Sequence, residues 1–245
     1  MMTQLNIAIL THNALEYTQE CLASIARHTP SGYRIFIVDN GSTDGTAAWL
    51  SAQSAENIDV VLSPSNLGVP GGRNLLIYKI LPDAPDEAFI IFLDNDVEVY
   101  ADWYKPYLEI FARHESAGIA GAMGHEIIVH RDRRELLPAP EGEPAPVDVV
   151  SGFCFWARVG TVCAIGLFDE NLGLFWHEDD DYCIRAISLG YEVFAVPATP
   201  LVHHGHKSSI DVQHPGSREN QQYLANKWRQ LGLVDSDGHI IHNGR

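Results

Sequence analysis

A chain of 245 residues, 46% apolar and 20% charged, is long enough to bury one large α/β core, and this composition excludes a disordered protein. Its net charge of −16 argues against nucleic acid or an anionic lipid surface as a general partner, although a halophilic origin would also give an acidic surface. No apolar run reaches the length of a bilayer span, and the first ten residues lack a basic leader region, so a cytoplasmic protein is expected, at most peripheral at the inner membrane face. The four cysteines, Cys21, Cys154, Cys163 and Cys183, show no C-x-x-C spacing and read mostly as small buried hydrophobes in a reducing compartment.

Ile7-Ala8-Ile9-Leu10 is a short buried strand that ends at Thr11-His12-Asn13. Leu15, Leu22, Ile25 and Ala26 share one helical face, and the helix ends near His28, ahead of Pro30. Ile35-Phe36-Ile37-Val38 is the second strand. It runs into Asp39-Asn40-Gly41-Ser42-Thr43-Asp44-Gly45-Thr46, a turn followed by a helix start with Ser42, Thr43 or Asp44 as cap. A third strand over residues 58–62 leads to Asn66-Leu67-Gly68-Val69-Pro70-Gly71-Gly72-Arg73-Asn74 and a helix through Ile80. Gly68, Gly71 and Gly72 would admit close approach of the backbone to a ligand, and Arg73 could reach a phosphate or a base. A flexible loop with a solvated arginine explains the same residues. Neither G-x-G-x-x-G nor G-x-x-x-x-G-K-[ST] occurs.

Phe89-Ile90-Ile91-Phe92-Leu93 reads as a strand buried on both faces, and it breaks into Asp94-Asn95-Asp96. Side chains at i and i+2 of an extended segment point the same way, so the two carboxylates can face one ligand. Hard oxygen donors at a strand's carboxyl end are where a divalent cation and a phosphorylated ligand would sit. Taken alone, Asp-x-Asp is more often a polar turn closing a core strand. The β-α alternation implies an α/β fold, with a mostly parallel sheet, helices on both faces, and loops gathered at one sheet edge.

Beyond Asp96 the pattern predicts a helix over residues 102–113, strands at 119–123 and 127–130, and a rigid polar surface loop over 138–146. Ser151-Gly152 opens an apolar segment through Arg158, and a turn follows at 166–170. Next comes Leu174-Phe175-Trp176-His177-Glu178-Asp179-Asp180-Asp181-Tyr182-Cys183-Ile184-Arg185. Four acids at a helix start complement its dipole, and Asp181 with Arg185 forms an i,i+4 pair. That bland reading explains the charge, while Phe175 and Trp176 would hold the run against an apolar wall. A carboxylate so placed can act as general base on a hydroxyl. After a last strand at 193–196, Leu201-Val202-His203-His204-Gly205-His206 offers three imidazoles. One beside two carboxylates would suit Mn²⁺ or Mg²⁺, whereas three together would suit zinc. Tyr223, Lys227 and Trp228 fall on a helix expected to pack back over the site, and the chain after Leu233 reads as frayed.

These stretches, in this order and over about residues 5–210, resemble the GT-A fold nucleotide-sugar glycosyltransferases, specifically the large inverting family 2. The resemblance rests on Thr11-His12-Asn13, the Asp39 octet, Asn66-Leu67-Gly68 with Gly71-Gly72-Arg73-Asn74, Asp94-Asn95-Asp96, Glu178-Asp179-Asp180-Asp181 and His203. It implies that Thr11 and Asp39 contact the nucleoside, with Asp39 toward the base, and that Asn13, Asn66, Gly68, Gly72 and Asn95 belong to the donor site. Arg73 would lie near the base or diphosphate. Asp94 would meet the ribose or metal, Asp96 would ligate Mn²⁺ or Mg²⁺, and His203 would be a further ligand, with His204 or His206 as replacements. Asp179 would be the catalytic base and Glu178 its neighbour on the acceptor side.

The resemblance also implies one domain throughout. Residues 1–100 would bind the donor, 101–210 would form the acceptor and catalytic half, and 211–245 a helical tail. The donor would be a UDP-sugar foremost, with dTDP- or GDP-sugars as alternatives, and the acceptor a glycan or lipid-linked hydroxyl. Lacking transmembrane runs and a Gln-x-x-Arg-Trp motif, the chain matches single-transfer enzymes better than processive synthases. Rival readings are a sugar nucleotidyltransferase, a zinc hydrolase built on the histidine cluster, and a non-catalytic nucleotide- or sugar-binding module.

Overall fold

The computed structural model describes residues 4–53, 55–138, 142–205 and 215–242. In chain order these form β1 (Leu5–Thr11), α1 (Leu15–His28), β2 (Tyr33–Asn40), α2 (Thr46–Ser51), β3 (Ile58–Ser63), α3 (Gly68–Ile80), β4 (Phe89–Asp94) and β5 (Val97–Val99). They continue as α4 (Lys105–Arg113), β6 (Ala117–Gly121), β7 (Gly124–Val129), β8 (Arg134–Pro138), β9 (Ala145–Val147), β10 (Val149–Val150), β11 (Cys154–Arg158) and α5 (Val159–Ile165). The remainder is α6 (Glu178–Ser188), β12 (Glu192–Ala195), β13 (Leu201–His203) and α7 (Pro215–Gln230).

The main sheet runs β3-β2-β1-β4-β11-β6-β12-β9. The first four strands are mutually parallel, β6 and β12 are parallel to each other, and β11 lies antiparallel between β4 and β6. The mixed, mostly parallel α/β sheet is thus as expected. Strand period two sorts the side chains into two cores. Ile7, Ile9, Ile35, Ile37, Phe89, Ile91 and Trp156 pack with α1, α2 and α4 on one face. Ala8, Phe36, Val38, Ile90, Phe92, Phe155 and Ala157 pack with α3, α5, α6 and α7 on the other. This double burial explains why β4 is apolar without alternation.

Several local expectations change. The helix expected from Asp102 starts at Lys105, because Asp102 adopts a left-handed backbone (φ 66°) and the chain turns before it can coil. Asp44 ties down the start of α2 from one position further out than a cap: its Oδ1 accepts from the Thr46 N–H, while Oδ2 accepts from the Leu15 N–H. The proline-rich stretch expected as loop includes β9, whose Pro146 is tolerated because β9 is the sheet's edge strand; residues 139–141 lie outside the described part. The tail beyond Leu233 is not frayed. Ile128 bridges His239, Val234 bridges Ile240, and Ile240 is buried.

Helix α7 is bound to α6 through polar groups that a hydrophobicity pattern does not show. Asp181, wholly buried, accepts from Arg185 Nε at 2.9 Å and Trp228 Nε1 at 3.1 Å, and pairs with Lys227 Nζ at 2.8 Å. Trp228→Ala removes a fully buried indole and one of these donors, so a loss of about 3–5 kcal/mol is expected. For a chain of this size that lowers the melting temperature by roughly 10 °C. A thermal scan showing almost no change would mean the tail is peripheral to the core.

Candidate active site

The carboxyl end of β4 is the centre of the site. Here the chain turns through Asn95 and Asp96 instead of staying extended, so the two carboxylates do not converge by simple strand alternation. The turn leads into β5, which pairs antiparallel with β13, His203 opposite Val97. That ribbon brings His203 Nε2 to 3.2 Å from Asp96 Oδ1 and 3.9 Å from Asp94 Oδ2. One ligand atom from each of Asp94, Asp96 and His203 lies within 4.8 Å of the others. Phe153 stacks on the imidazole at 4.5 Å and fixes its plane. Burial lowers the His203 pKa, but the hydrogen bond to Asp96 and the charge of both carboxylates outweigh it and raise it. Two carboxylates and one imidazole fit Mn²⁺ or Mg²⁺. His204, the next residue along, projects away to Glu98 at 3.4 Å, and His206 lies outside the described residues.

A cavity of about 220 Å³ opens beside these groups, lined among others by Asn40, Asn66, Gly68, Asn95 and Phe175, with Asp94, Asp96, Arg73 and His203. Its nucleoside-side wall is the pair of turns after β1 and β2. Asn13 and Ala14 both take left-handed backbones. The Asn13 N–H donates to Ser42 Oγ, and its side-chain oxygen accepts from the Thr43 N–H. Thr11 is buried, its hydroxyl shared among Thr18, Asn95 and the Asn13 carbonyl, so it supports the wall from beneath. Asp39 is also buried. Its Oδ2 accepts from the Ser42 N–H, while Oδ1 has no hydrogen-bond partner among the described residues. Such an orphaned acceptor costs free energy unless a ligand satisfies it.

The glycines act differently from one another. Gly68 (φ +75°) opens α3 where the backbone meets Gly173 and Leu174, and any side chain there would collide with them. Gly72 sits inside α3 against the Leu10 side chain, so its missing Cβ serves helix-on-strand packing. Asn40, not singled out in the sequence, holds the Asn66–Gly68 turn: it donates to Asn66 Oδ1 and the Gly68 carbonyl, and accepts from the Leu67 N–H.

Three consecutive acids at the start of α6 experience different surroundings. Burial first, then the neighbouring Asp179 charge, pushes Glu178 up to about 7, and Arg73 only partly offsets this. Burial and Asp180 likewise raise Asp179. Burial also raises Asp180, but Arg134 and His177 outweigh it and hold that carboxyl below its usual range. Asp180 is therefore a structural ion, while Glu178 and Asp179 keep the basicity that proton transfer needs. Asp179 is aimed by two backbone donors, the Gly152 N–H at 2.8 Å and the Asp180 N–H at 3.0 Å.

Phe175 and Trp176 do not clamp the acids against an apolar wall. Both are half-exposed, and Trp176 and His177 have left-handed backbones (φ 79° and 72°). The loop is held instead by Asn220 of α7, which donates to the Leu172, Phe175 and Trp176 carbonyls, and by Ser217 against His177 Nε2 at 3.0 Å. Nothing in the spacing of Asn220 announces this role.

An open sheet with catalytic groups at the carboxyl ends of parallel strands, an acidic pair closing β4 and an acidic helix start opposite it define a GT-A glycosyltransferase. The chain belongs to glycosyl transferase family 2, whose profile matches residues 6–143. It is 27% identical over 226 residues to the amylovoran biosynthesis glycosyltransferase AmsB of Erwinia amylovora, covering 86% of this chain and 72% of that one. It is 23% identical over 256 residues to the N-acetylglucosaminyl-diphospho-decaprenol L-rhamnosyltransferase of Mycobacterium tuberculosis, covering 90% and 83%. Among solved structures, it matches GalNAc-T7 with UDP, GalNAc and Mn²⁺ at a TM-score of 0.68 and 15% identity, over 82% of this chain and 44% of that one. The mannosyltransferase PcManGT from Pyrobaculum calidifontis with GDP-Man and Mn²⁺ matches at 0.65 and 14%, over 94% and 65%. The chain thus spans less than two thirds of either structure's length. No helix among the described residues is long and apolar enough to cross a membrane.

Proposed function

We propose that this enzyme is a metal-dependent inverting glycosyltransferase that moves a sugar from a nucleoside diphosphate, UDP foremost, to a hydroxyl of a glycan or lipid-linked acceptor. The observation that carries the proposal is the arrangement around Arg73: Asp94, in the cluster with Asp96 and His203, lies on one side, and the Glu178–Asp179 pair lies on the other. Residues 1–100 supply the donor wall, and 101–210 supply the base and the acceptor side. A divalent cation bound by Asp94, Asp96 and His203 would neutralise charge on the diphosphate. Asp179 accepts the proton of the acceptor hydroxyl as that oxygen attacks the anomeric carbon. Attack from the face opposite the diphosphate inverts that carbon. Glu178 borders Asp179 on the acceptor side, and its high pKa keeps a second charge from accumulating there. Binding of related proteins to UDP, and of another to GDP-mannose, supports a nucleotide-sugar donor here.

The unsatisfied Asp39 oxygen suits an imino N–H of uracil, thymine or guanine, a donor that cytosine lacks at that edge. Asp39→Asn would put an amide where the base needs an acceptor. A charged hydrogen bond contributes about 1.5–3 kcal/mol, so UDP affinity with Mn²⁺ is expected to fall roughly 10- to 100-fold by calorimetry. Unchanged affinity would move the base to another part of the cavity.

A further inference from the structure

We infer that Arg73 and Gly152 form a positioning device for the catalytic pair, with Arg73 acting through Glu178 and the Gly152 peptide and not as a ligand of the donor. This inference rests on the glycosyltransferase reading above. Arg73 is 4% exposed, and its guanidinium lies between the rings of Phe92 and Phe168, 5.7 and 5.4 Å from their centres. From this slot Nη1 donates to Glu178 Oε1 at 3.2 Å and Nη2 donates to the Gly152 carbonyl at 3.0 Å. The other end of residue 152, its N–H, holds Asp179 Oδ2 at 2.8 Å. One guanidinium thus fixes Glu178 directly and the base Asp179 through a single residue. Nη2 is also 3.7 Å from Asp94 Oδ1, a longer contact on the donor side.

Residue 152 must be glycine for this arrangement. A Cβ there would stand 2.6 Å from Arg73 Nη2 and 2.9 Å from Nη1. The second Glu178 oxygen is buried with no hydrogen-bond partner among the described residues, so Arg73 is the side-chain contact that orients this carboxyl. A planar fork can serve Glu178 and the Gly152 carbonyl together, whereas a lysine ammonium in the same slot cannot span both.

The test compares Arg73→Lys and Gly152→Ala with the unaltered enzyme. Gly152→Ala keeps every charge and has no left-handed backbone to strain; it displaces only the end of the arginine side chain, so it retains the fold even if Arg73→Lys does not. Two quantities are measured: the dissociation constant of UDP with Mn²⁺ by calorimetry, and kcat for UDP release from whichever of UDP-glucose, UDP-galactose and UDP-N-acetylglucosamine the unaltered enzyme turns over fastest. Misplacing a reacting group by about 1 Å costs on the order of 100-fold. Both variants are therefore expected to lose roughly 10- to 100-fold in kcat, with UDP affinity within about threefold of the original. A loss of UDP affinity matching the loss in kcat would overturn the inference and make Arg73 a donor ligand. Unchanged kcat in both variants would overturn it as well. Failure of the unaltered enzyme to bind UDP, dTDP or GDP with Mn²⁺ is a different outcome, which removes the donor-site reading itself and this inference with it.

Discussion

Asp179→Asn lowers sugar transfer by on the order of 10²- to 10⁴-fold, the range general-base catalysis supplies, while leaving nucleotide affinity in place. The side chain sits on two backbone N–H donors that an amide oxygen can only partly satisfy, so the fold survives but the proton acceptor is gone. The same carboxyl sets the pH dependence. Burial raises its pKa, so the protonated, inactive form persists above the ordinary carboxylate range. Transfer should therefore fall as pH drops, with its acid limb at higher pH than an exposed aspartate would give. Glu178→Gln removes the adjacent carboxyl and is expected to move that limb down. A pH–rate profile flat through the weakly acidic range, or near-normal transfer by Asp179→Asn, would place the base elsewhere.

Asp96→Asn has the second large effect. Asp96 is 6% exposed, and its Oδ1 faces His203. An amide in its place withdraws one anionic donor from a set of three and leaves Asp94 and His203 too weak a pair. Loss of a cation that stabilises a leaving diphosphate removes several kcal/mol. At 1.36 kcal/mol per decade, transfer is expected to fall on the order of 10²- to 10³-fold. Raising Mn²⁺ should restore part of it. Transfer indifferent both to this substitution and to chelation would contradict a cation at the end of β4.

The features legible in the sequence were those set by local chemistry. The apolar runs of β1, β2 and β4, the amphipathic face of α1 and the acid-rich start of α6 carry their own periodicity and caps, and each lies where the pattern puts it. Asp94, Asp96 and His203 could be named because their donor types converge on one chemistry, though the route by which they meet is a turn and a two-stranded ribbon. What could not be read depends on distant pairing. The insertion of β11 between β4 and β6 joins residues some sixty positions apart in the chain. Arg73 looks like a solvated helix-start residue until Phe92, Phe168 and Gly152 enclose it. Asn220 and Trp228 act through carbonyls and a buried carboxylate on other helices and loops, partners to which no sequence period points.

A cation-dependent nucleotide site at the carboxyl end of β4 is tested most directly by thermal stability with UDP, dTDP, GDP and CDP, each with and without Mn²⁺, for the unaltered enzyme and for Asp96→Ala. Ligand at about a hundred times its dissociation constant adds ~2.7 kcal/mol, a shift of roughly 5–10 °C in a chain of this size. The expected result is stabilisation by UDP or another imino-bearing nucleotide that requires Mn²⁺ and disappears in Asp96→Ala. Stabilisation independent of Mn²⁺, or retained in Asp96→Ala, or absent with all four nucleotides, would contradict the site.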